Sequence, residues 1–206
     1  MNSETIPEFK GTNLQIAEQI VIWANNKIKK VRWTNEEIDR NFGKRSAVQT
    51  LEEGNTFYMG PCLDFNLVFS FLMRKQDIPH QLVIEEQYPT RNFPFNRLHF
   101  VTEFQNRGEI TYIDNEKMNI TKIGRGYYIR HSTNPQAQII RVPSWAIEPN
   151  KPLHEIFGFR SVEDLEKTFK GYSSKVQIER MKKDNNEENW NRYVEATKNG
   201  PKICPD

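Results

Sequence analysis

The apolar positions in the first quarter of the chain recur at the spacing of amphipathic helices. In residues 12–28 they return every three or four residues, and the segment opens with the Thr-x-x-Gln pattern of a capping box. Similar start signals at Thr34 and Ser46 predict two short helices, which end near Gly43 and Gly54. We therefore predict that the N-terminal region is helical.

Residues 62–76 have a different pattern, because apolar side chains would lie on nearly every side of a helix drawn through them. The pair Gly60-Pro61 precedes this segment, and proline is favoured in the first turn of a helix. We predict a buried helix here, with Cys62 in its first turn.

Three strands are predicted after this helix, at residues 81–86, 98–104 and 110–113. A turn-forming sequence at residues 106–109 joins the last two, so we expect an antiparallel meander. The insert at residues 88–97 contains two prolines and two phenylalanines, and we expect it to form a loop over one rim of the sheet.

The pattern is weaker in the remainder of the chain. It predicts a strand at residues 139–142, a helix within residues 161–171 and one or two solvated helices in residues 175–198, which are rich in Lys, Glu and Asn. A length of 206 residues fits one domain with an appendage. We predict an α+β core domain over residues 1–150 and a helical C-terminal extension over residues 151–206.

The charge and composition of the chain bear on its binding partners, its location and the state of its cysteines. With 29 basic and 27 acidic residues the net charge is +2, which gives no field that would select nucleic acid or a membrane surface. The sequence has no secretion signal and no long apolar run, so we expect a cytoplasmic protein. Cys62 lies in an apolar segment and Cys204 in the last three residues, so we expect Cys62 to be unpaired.

Three residues have a chemistry that the predicted elements would bring together. A cysteine at a helix start beside a histidine is a good nucleophile, because the helix dipole and an imidazolium both stabilise a thiolate. Cys62 has the helix start, and His99 lies at the start of a predicted strand. In a hairpin that turns near residues 106–108, Asp114 would lie across from His99 and orient it. We predict that Cys62, His99 and Asp114 form a catalytic triad.

An oxyanion formed in such a mechanism would be bound by the backbone N–H of Cys62 and by a second donor. Tyr58 is our candidate for the second donor, and Gln49, Trp33 and Trp23 are further candidates by position.

Each of these residues also has an ordinary structural interpretation. A free cysteine is often a buried apolar residue, and a strand histidine or Asp114 can be satisfied by local hydrogen bonds. The combination of the three favours the triad. We expect Asp64 to be structural, paired with Arg45 or Arg74.

The other histidines predict no metal site. His80, His131 and His154 lack the spacing to cysteines or carboxylates that metal ligands have. We therefore predict neither a metal nor a cofactor.

The segment around Cys62 resembles the signature of bacterial and archaeal transglutaminase-like proteins. That signature has glycine, any residue, cysteine, any residue and Asp-Phe, followed by an arginine and Ile-Pro. Residues 60–65, Arg74 and residues 78–79 match it, and Asp77 departs from it where glycine is usual.

The resemblance covers roughly residues 44–116, and His99 and Asp114 stand where the histidine and aspartate of the family are expected. It implies a papain-like fold in which Cys62 attacks an amide, ester or thioester carbonyl. The acyl group would pass to water or to an amine, with hydrolysis as the default. A peptide, protein or other amide would be the substrate, and the oligomeric state is left open.

Two other functions stay open. Arylamine acetyltransferases share the triad, and their cysteine motif ends in an acidic residue and an asparagine, like Asp64 and Asn66. That similarity would make acetyl-coenzyme A a donor, but the arginine and tandem glycine expected before the cysteine are missing. The second alternative is a catalytically inactive binding module that kept the fold.

Overall fold

The computed structural model describes residues 6–87, 97–113, 127–128, 139–161, 164, 167–169 and 173–198. These residues form helices packed on small sheets, which confirms the α+β class. Of the loop predicted at residues 88–97, residues 88–96 lie outside the described residues and Arg97 begins a strand instead. Most of the predicted helix at residues 161–171 also lies outside the described residues.

The N-terminal half contains four helices and two short strands. In chain order they are α1 (Asn13–Lys27), β1 (Lys29–Val31), α2 (Asn35–Asn41), α3 (Ala47–Glu53), β2 (Asn55–Phe57) and α4 (Pro61–Lys75). The second half contributes β3 (His80–Gln87), β4 (Arg97–Asn106), β5 (Glu109–Ile113), β6 (Tyr127–Tyr128), β7 (Ile139–Pro143), a 3₁₀ helix (Ser144–Ala146), α5 (Leu153–Ile156), α6 (Ser174–Asp184) and α7 (Glu187–Lys198).

The first three helices begin at the predicted capping boxes. At the start of α2, Thr34 Oγ1 accepts a hydrogen bond from the Glu37 backbone N–H at 3.2 Å. Glu37 Oε2 in turn accepts from the Thr34 N–H at 2.7 Å. The same reciprocal bonds occur at Thr12 and Ser46. These starts were readable from sequence because a capping box is local and depends on residues only three positions apart.

The main sheet has five strands in the order β6-β5-β4-β3-β7. Strands β3, β4 and β5 pair antiparallel, which confirms the predicted meander, and β7 pairs antiparallel with β3 on its other side. The turn between β4 and β5 has positive φ at Arg107 (51°) and Gly108 (85°). A type I′ turn requires positive φ at both central residues.

A second, two-stranded sheet was not predicted. β1 and β2 pair in parallel, with Lys29 opposite Asn55 and Val31 opposite Phe57. Each strand is only three residues long, so neither shows a periodicity that could be recognised in the sequence. This sheet leads the chain directly into α4.

The main core lies between α4 and one face of the five-stranded sheet, and α1 and α3 also pack against α4. Phe65, Leu67, Phe69, Leu72 and Met73 of α4 are all fully buried. The apolar character around the whole of α4 therefore reflects burial on all sides, as the sequence predicted.

The last two helices pack on the N-terminal region. Met181 of α6 is buried in a cluster with Trp33 and Phe57, and Trp190 of α7 packs against it. Phe169 is fully buried in the main core. The division into a core domain and a C-terminal extension stays a prediction. Residues of both parts pack together in the main core and in the cluster around Met181.

Helix α4 ends in a Schellman motif. The Ile78 N–H bonds to the Met73 carbonyl at 3.0 Å, and the Asp77 N–H bonds to the Arg74 carbonyl at 3.1 Å. Asp77 itself has a φ of 53°, in the left-handed region that favours glycine. Asp77 stands where the transglutaminase-like signature has its glycine, and the backbone still has the conformation that glycine would adopt most easily.

We expect Asp77→Gly to raise the free energy of unfolding by about 0.5 to 1 kcal/mol, because it removes the Cβ that a left-handed conformation crowds. Urea denaturation measures this change. Asp77→Ala is the matched control, because it removes the carboxylate but keeps Cβ. If Asp77→Ala stabilises the protein equally, the carboxylate and not the backbone is responsible.

Candidate functional site

Cys62 lies in the first turn of α4, as predicted. Gly60 is the N-cap residue and Pro61 the first residue of the helix. The Cys62 side chain belongs to the main core and the residue is 8% exposed. Cys62 is a free thiol. A helix start favours a negative charge, so the location suits a nucleophilic cysteine.

Close packing surrounds the residue that begins this helix. A Cβ placed on Gly60 would lie 2.7 Å from Cε2 of Phe42 and 3.0 Å from Cε of Met181. A real Cβ atom essentially never comes within 3.0 Å of a heavy atom outside its own residue and the two adjacent residues. Gly60 therefore lets the loop after α2 and helix α6 approach the start of α4.

A buried ion pair also stabilises the first turn of α4. Asp64 accepts hydrogen bonds from the Arg45 guanidinium and from Thr56 Oγ1, the latter at 2.7 Å. Burial raises the pKa of the Asp64 carboxyl, while Arg45 and Thr56 oppose that rise. Arg74, the other expected partner, instead donates to the carbonyl of Ile147.

Arg45 is itself fixed by several contacts. Its guanidinium stacks 4.5 Å from the centre of the Trp33 ring, and its Nη1 lies 2.7 Å from Glu53 Oε2. Arg45 and Asp64 are 3% and 4% exposed. The pair thus joins the loop before α3, the β1–β2 sheet and the start of α4.

His99 lies in β4, the strand that packs against α4. It is 2% exposed and pairs across the sheet with Glu85 of β3. Its neighbours Leu98 and Phe100 belong to the main core together with Cys62. Val101 belongs instead to a separate cluster with Val83 and Tyr112.

This alternation decides the direction of the His99 side chain. Successive side chains of a strand point to opposite faces of the sheet. Phe100 faces α4, so His99 extends from the face that carries Val101. The structure therefore brings the backbone segments of Cys62 and His99 together, while the His99 side chain leaves β4 on the opposite face.

Asn66 connects the two segments. Its Nδ2 donates to the Cys62 carbonyl at 2.8 Å and to the Phe100 carbonyl at 2.7 Å. Its Oδ1 accepts from Thr102 Oγ1 at 2.9 Å. Asn66 therefore bonds both to the residue that supplies the thiol and to the residue that follows His99.

The third predicted catalytic residue, Asp114, lies outside the described residues, as does Cys204. The triad as a whole stays a prediction. Strand β5 ends at Ile113, which is fully buried and pairs with Thr102.

The candidate oxyanion donors all have other contacts. The Tyr58 ring packs on Trp190 and Tyr193 with centroid distances of 5.1 and 5.2 Å. Burial raises the pKa of its phenol, and the hydroxyl has no hydrogen-bond partner among the described residues. Tyr58 thus belongs to the cluster around α6 and α7, whereas Cys62 belongs to the main core.

The remaining candidates are used in packing and capping. Gln49 accepts from the Ser46 N–H in a capping box. Trp33 stacks on Phe57, and Trp23 packs edge-on against Phe9.

The described histidines other than His99 have separate environments. His80 is buried, and its Nδ1 lies 2.7 Å from the Ile78 carbonyl, so this nitrogen carries the proton. Burial lowers the pKa of His80. Within the described ranges, no three His, Cys, Asp or Glu side chains are grouped so that they could hold a metal ion.

The expected pairing of Asp64 with Arg45 or Arg74 is made with Arg45. The sequence analysis missed the role of Asn66 as a bridge between α4 and β4. Asn66 interrupts an otherwise apolar helix face, and a buried amide must find partners inside the protein. That interruption was the available signal, but the identity of the partners on β4 depends on tertiary packing.

Comparison of the chain with models of known protein families and with curated proteins finds no match. The resemblance to transglutaminase-like proteins therefore rests on the motif residues alone. Of the helices in the described parts of the chain, none combines the length and apolar character needed to cross a bilayer.

We expect Gly60→Ala to lower the free energy of unfolding by about 1 to 3 kcal/mol, because the new methyl group overlaps Phe42 and Met181. Phe42→Leu removes the nearest atom, so the double variant should be more stable than the sum of the two single changes predicts. Gly60→Ala combined with Phe71→Leu, near the other end of α4, serves as the control and should be additive.

We expect Arg45→Met to lower the free energy of unfolding by about 3 to 5 kcal/mol, because it leaves Asp64 buried without its cation. The double variant Arg45→Met, Asp64→Leu should recover much of this loss. Urea denaturation at neutral pH measures both, and a double variant as unstable as the single one contradicts the explanation.

The loss of stability in Arg45→Met should depend on pH in a defined direction. A group whose pKa is higher in the folded than in the unfolded state stabilises the fold at low pH. That stabilisation is lost as the pH rises through the folded-state pKa. Because burial raises the pKa of Asp64, the deficit of Arg45→Met relative to wild type should shrink as the pH falls from 7 toward about 4.

Proposed function

We propose that the protein performs cysteine-dependent acyl transfer, with hydrolysis of an amide or peptide-type bond as the default reaction. Cys62 is the nucleophile, His99 the general base and then acid, and Asp114 orients His99. The observation that carries the proposal is the packing of the first turn of α4, which holds Cys62, against the strand that holds His99. A papain-like, transglutaminase-like core is part of the same proposal.

Acylation would begin with the thiolate of Cys62. Its sulfur attacks the carbonyl carbon, a C–S bond forms, and the carbonyl oxygen becomes an oxyanion. The backbone N–H of Cys62 is a candidate donor to that oxyanion. When the intermediate collapses, the C–N bond breaks and the amine leaves with the proton that His99 held.

Deacylation would return the enzyme to its starting state. Water, or an acceptor amine, attacks the thioester carbon and gives a proton to His99. The C–S bond then breaks, which releases the acid or the new amide and restores the thiolate. Water needs no second binding site, so hydrolysis is the simpler outcome.

The proposal places a requirement on His99. The residue is the third of β4, near the end of the sheet, and its side chain leaves the strand on the face away from α4. The mechanism requires the imidazole to contact the Cys62 thiol, whereas this direction leaves the two groups on opposite faces of β4. The inactive binding module is the alternative that this direction, together with the low exposure of Cys62, favours.

The rate of iodoacetamide alkylation at about pH 6.5, followed by mass spectrometry, tests the pair. We expect Cys62 to react at least about tenfold faster in the wild type than in His99→Ala, because an imidazolium stabilises the thiolate. His99→Gln, which is neutral and closer in size, should behave like His99→Ala.

Cys204 is the internal reference, because its rate should be the same in all three proteins. Acyl transfer itself is tested by incubation with a peptide thioester, which should add the acyl mass to Cys62 and leave Cys62→Ser unmodified. If Cys62 is inert, or reacts equally with and without His99, the inactive module is the correct reading.

A further inference from the structure

We infer that Asn66 is a positioning residue that holds Cys62 in register with His99. This inference rests on the proposed function, because it concerns the geometry of the same pair. The observation behind it is a single buried side chain with hydrogen bonds to both segments.

The location of Asn66 is unfavourable unless the side chain has a specific role. It is fully buried in the middle of an apolar helix, and asparagine is among the weaker helix formers. Burying an amide without partners costs free energy, so such a residue is retained where its hydrogen bonds are made. An apolar residue would fit the pattern of α4 better than asparagine does.

The amide makes three strong bonds in the available space. Both hydrogens of Nδ2 point to carbonyls, one of Cys62 and one of Phe100, at 2.8 and 2.7 Å. Carbonyls only accept, so the end of the amide that faces them carries the nitrogen. Thr102 Oγ1 donates to Oδ1 at 2.9 Å, which fixes the plane of the amide. Asn66 therefore cannot rotate without losing a bond on one side or the other.

These bonds fix a distance that apolar packing alone would leave adjustable. One planar NH₂ group spans the gap between the carbonyl of the nucleophile residue and the carbonyl of the residue after His99. Apolar contacts are non-directional, whereas a hydrogen bond weakens steeply when its distance or angle changes. A shift of about 1 Å in a catalytic pair is enough to lose most of the rate.

The same helix offers a matched control. Ser70 lies one turn beyond Asn66, is fully buried, and its Oγ lies 3.4 Å from Thr102 Oγ1. It joins the same helix to the same strand but lies two turns away from Cys62. Ser70→Ala therefore removes a buried polar contact of the α4–β4 interface without touching the segment that holds the thiol.

The test is a double-mutant cycle on the alkylation rate of Cys62 by iodoacetamide at about pH 6.5. His99→Ala is measured in the wild-type, Asn66→Ala and Ser70→Ala backgrounds. We expect its effect to fall from about tenfold to about twofold or less in Asn66→Ala, and to stay near tenfold in Ser70→Ala. Urea denaturation of each protein establishes that it is folded under the assay conditions.

A second variant serves if Asn66→Ala does not fold. Thr102→Val removes the bond to Oδ1, so the amide keeps its two donors but loses its fixed plane. It also removes the longer contacts of Thr102 Oγ1 with the Asn66 carbonyl and with Ser70 Oγ, both at 3.4 Å, and Ser70→Ala measures the effect of the second of these. It should reduce the effect of His99→Ala to an intermediate value of about threefold to fivefold. An unchanged tenfold effect in Thr102→Val overturns the inference as surely as an unchanged effect in Asn66→Ala.

The outcomes separate the two proposals. If His99→Ala slows alkylation equally in the wild type and in Asn66→Ala, the inference about Asn66 is wrong and the proposed function stands. If Ser70→Ala abolishes the effect as completely as Asn66→Ala, general loosening of the interface is responsible and positioning by Asn66 is overturned. If His99→Ala has no effect even in the wild type, the proposed function fails and the inference fails with it.

Discussion

Helix α4 is buried along most of its length, and the surrounding elements pack onto it. The helix packs against β3 and β4 of the five-stranded sheet and against α1 and α3, so nearly every side chain along it must be apolar or must find a partner inside the protein. Its polar residues show this directly. Asp64 pairs with Arg45, and Asn66 bonds to the backbone of β4.

Asp64 and Gly60 each connect a different part of the chain to the start of α4. The Asp64 pair reaches the loop before α3 and, through the stacked Trp33, the small parallel sheet. The absence of a side chain at Gly60 leaves room for Phe42 and for Met181 of α6. The position of Cys62 is therefore set by segments far apart in sequence, and not by the helix that contains it alone.

The elements of the fold were largely predictable because their signals are local. Capping boxes at Thr12, Thr34 and Ser46 involve residues three positions apart, and the meander follows from alternating strands joined by a tight turn. The parallel pairing of β1 with β2 was not predictable, since strands of three residues have no recognisable period and their partners are distant. The docking of Met181 beside Gly60 was missed for the same reason, because nothing local in α6 specifies what it covers.

The candidate site divides in the same way. Local signals predict that Cys62 lies in the first turn of a buried helix and that His99 lies in a strand further along the chain, because helix starts and strand periods are properties of short segments. Tertiary packing sets which face of that strand meets the helix: Phe100 faces α4, His99 extends from the other face, and Asn66 bonds to the carbonyls of Cys62 and Phe100. A strand that is buried on both faces has the same local pattern on each, so the choice between them depends on what packs against each face.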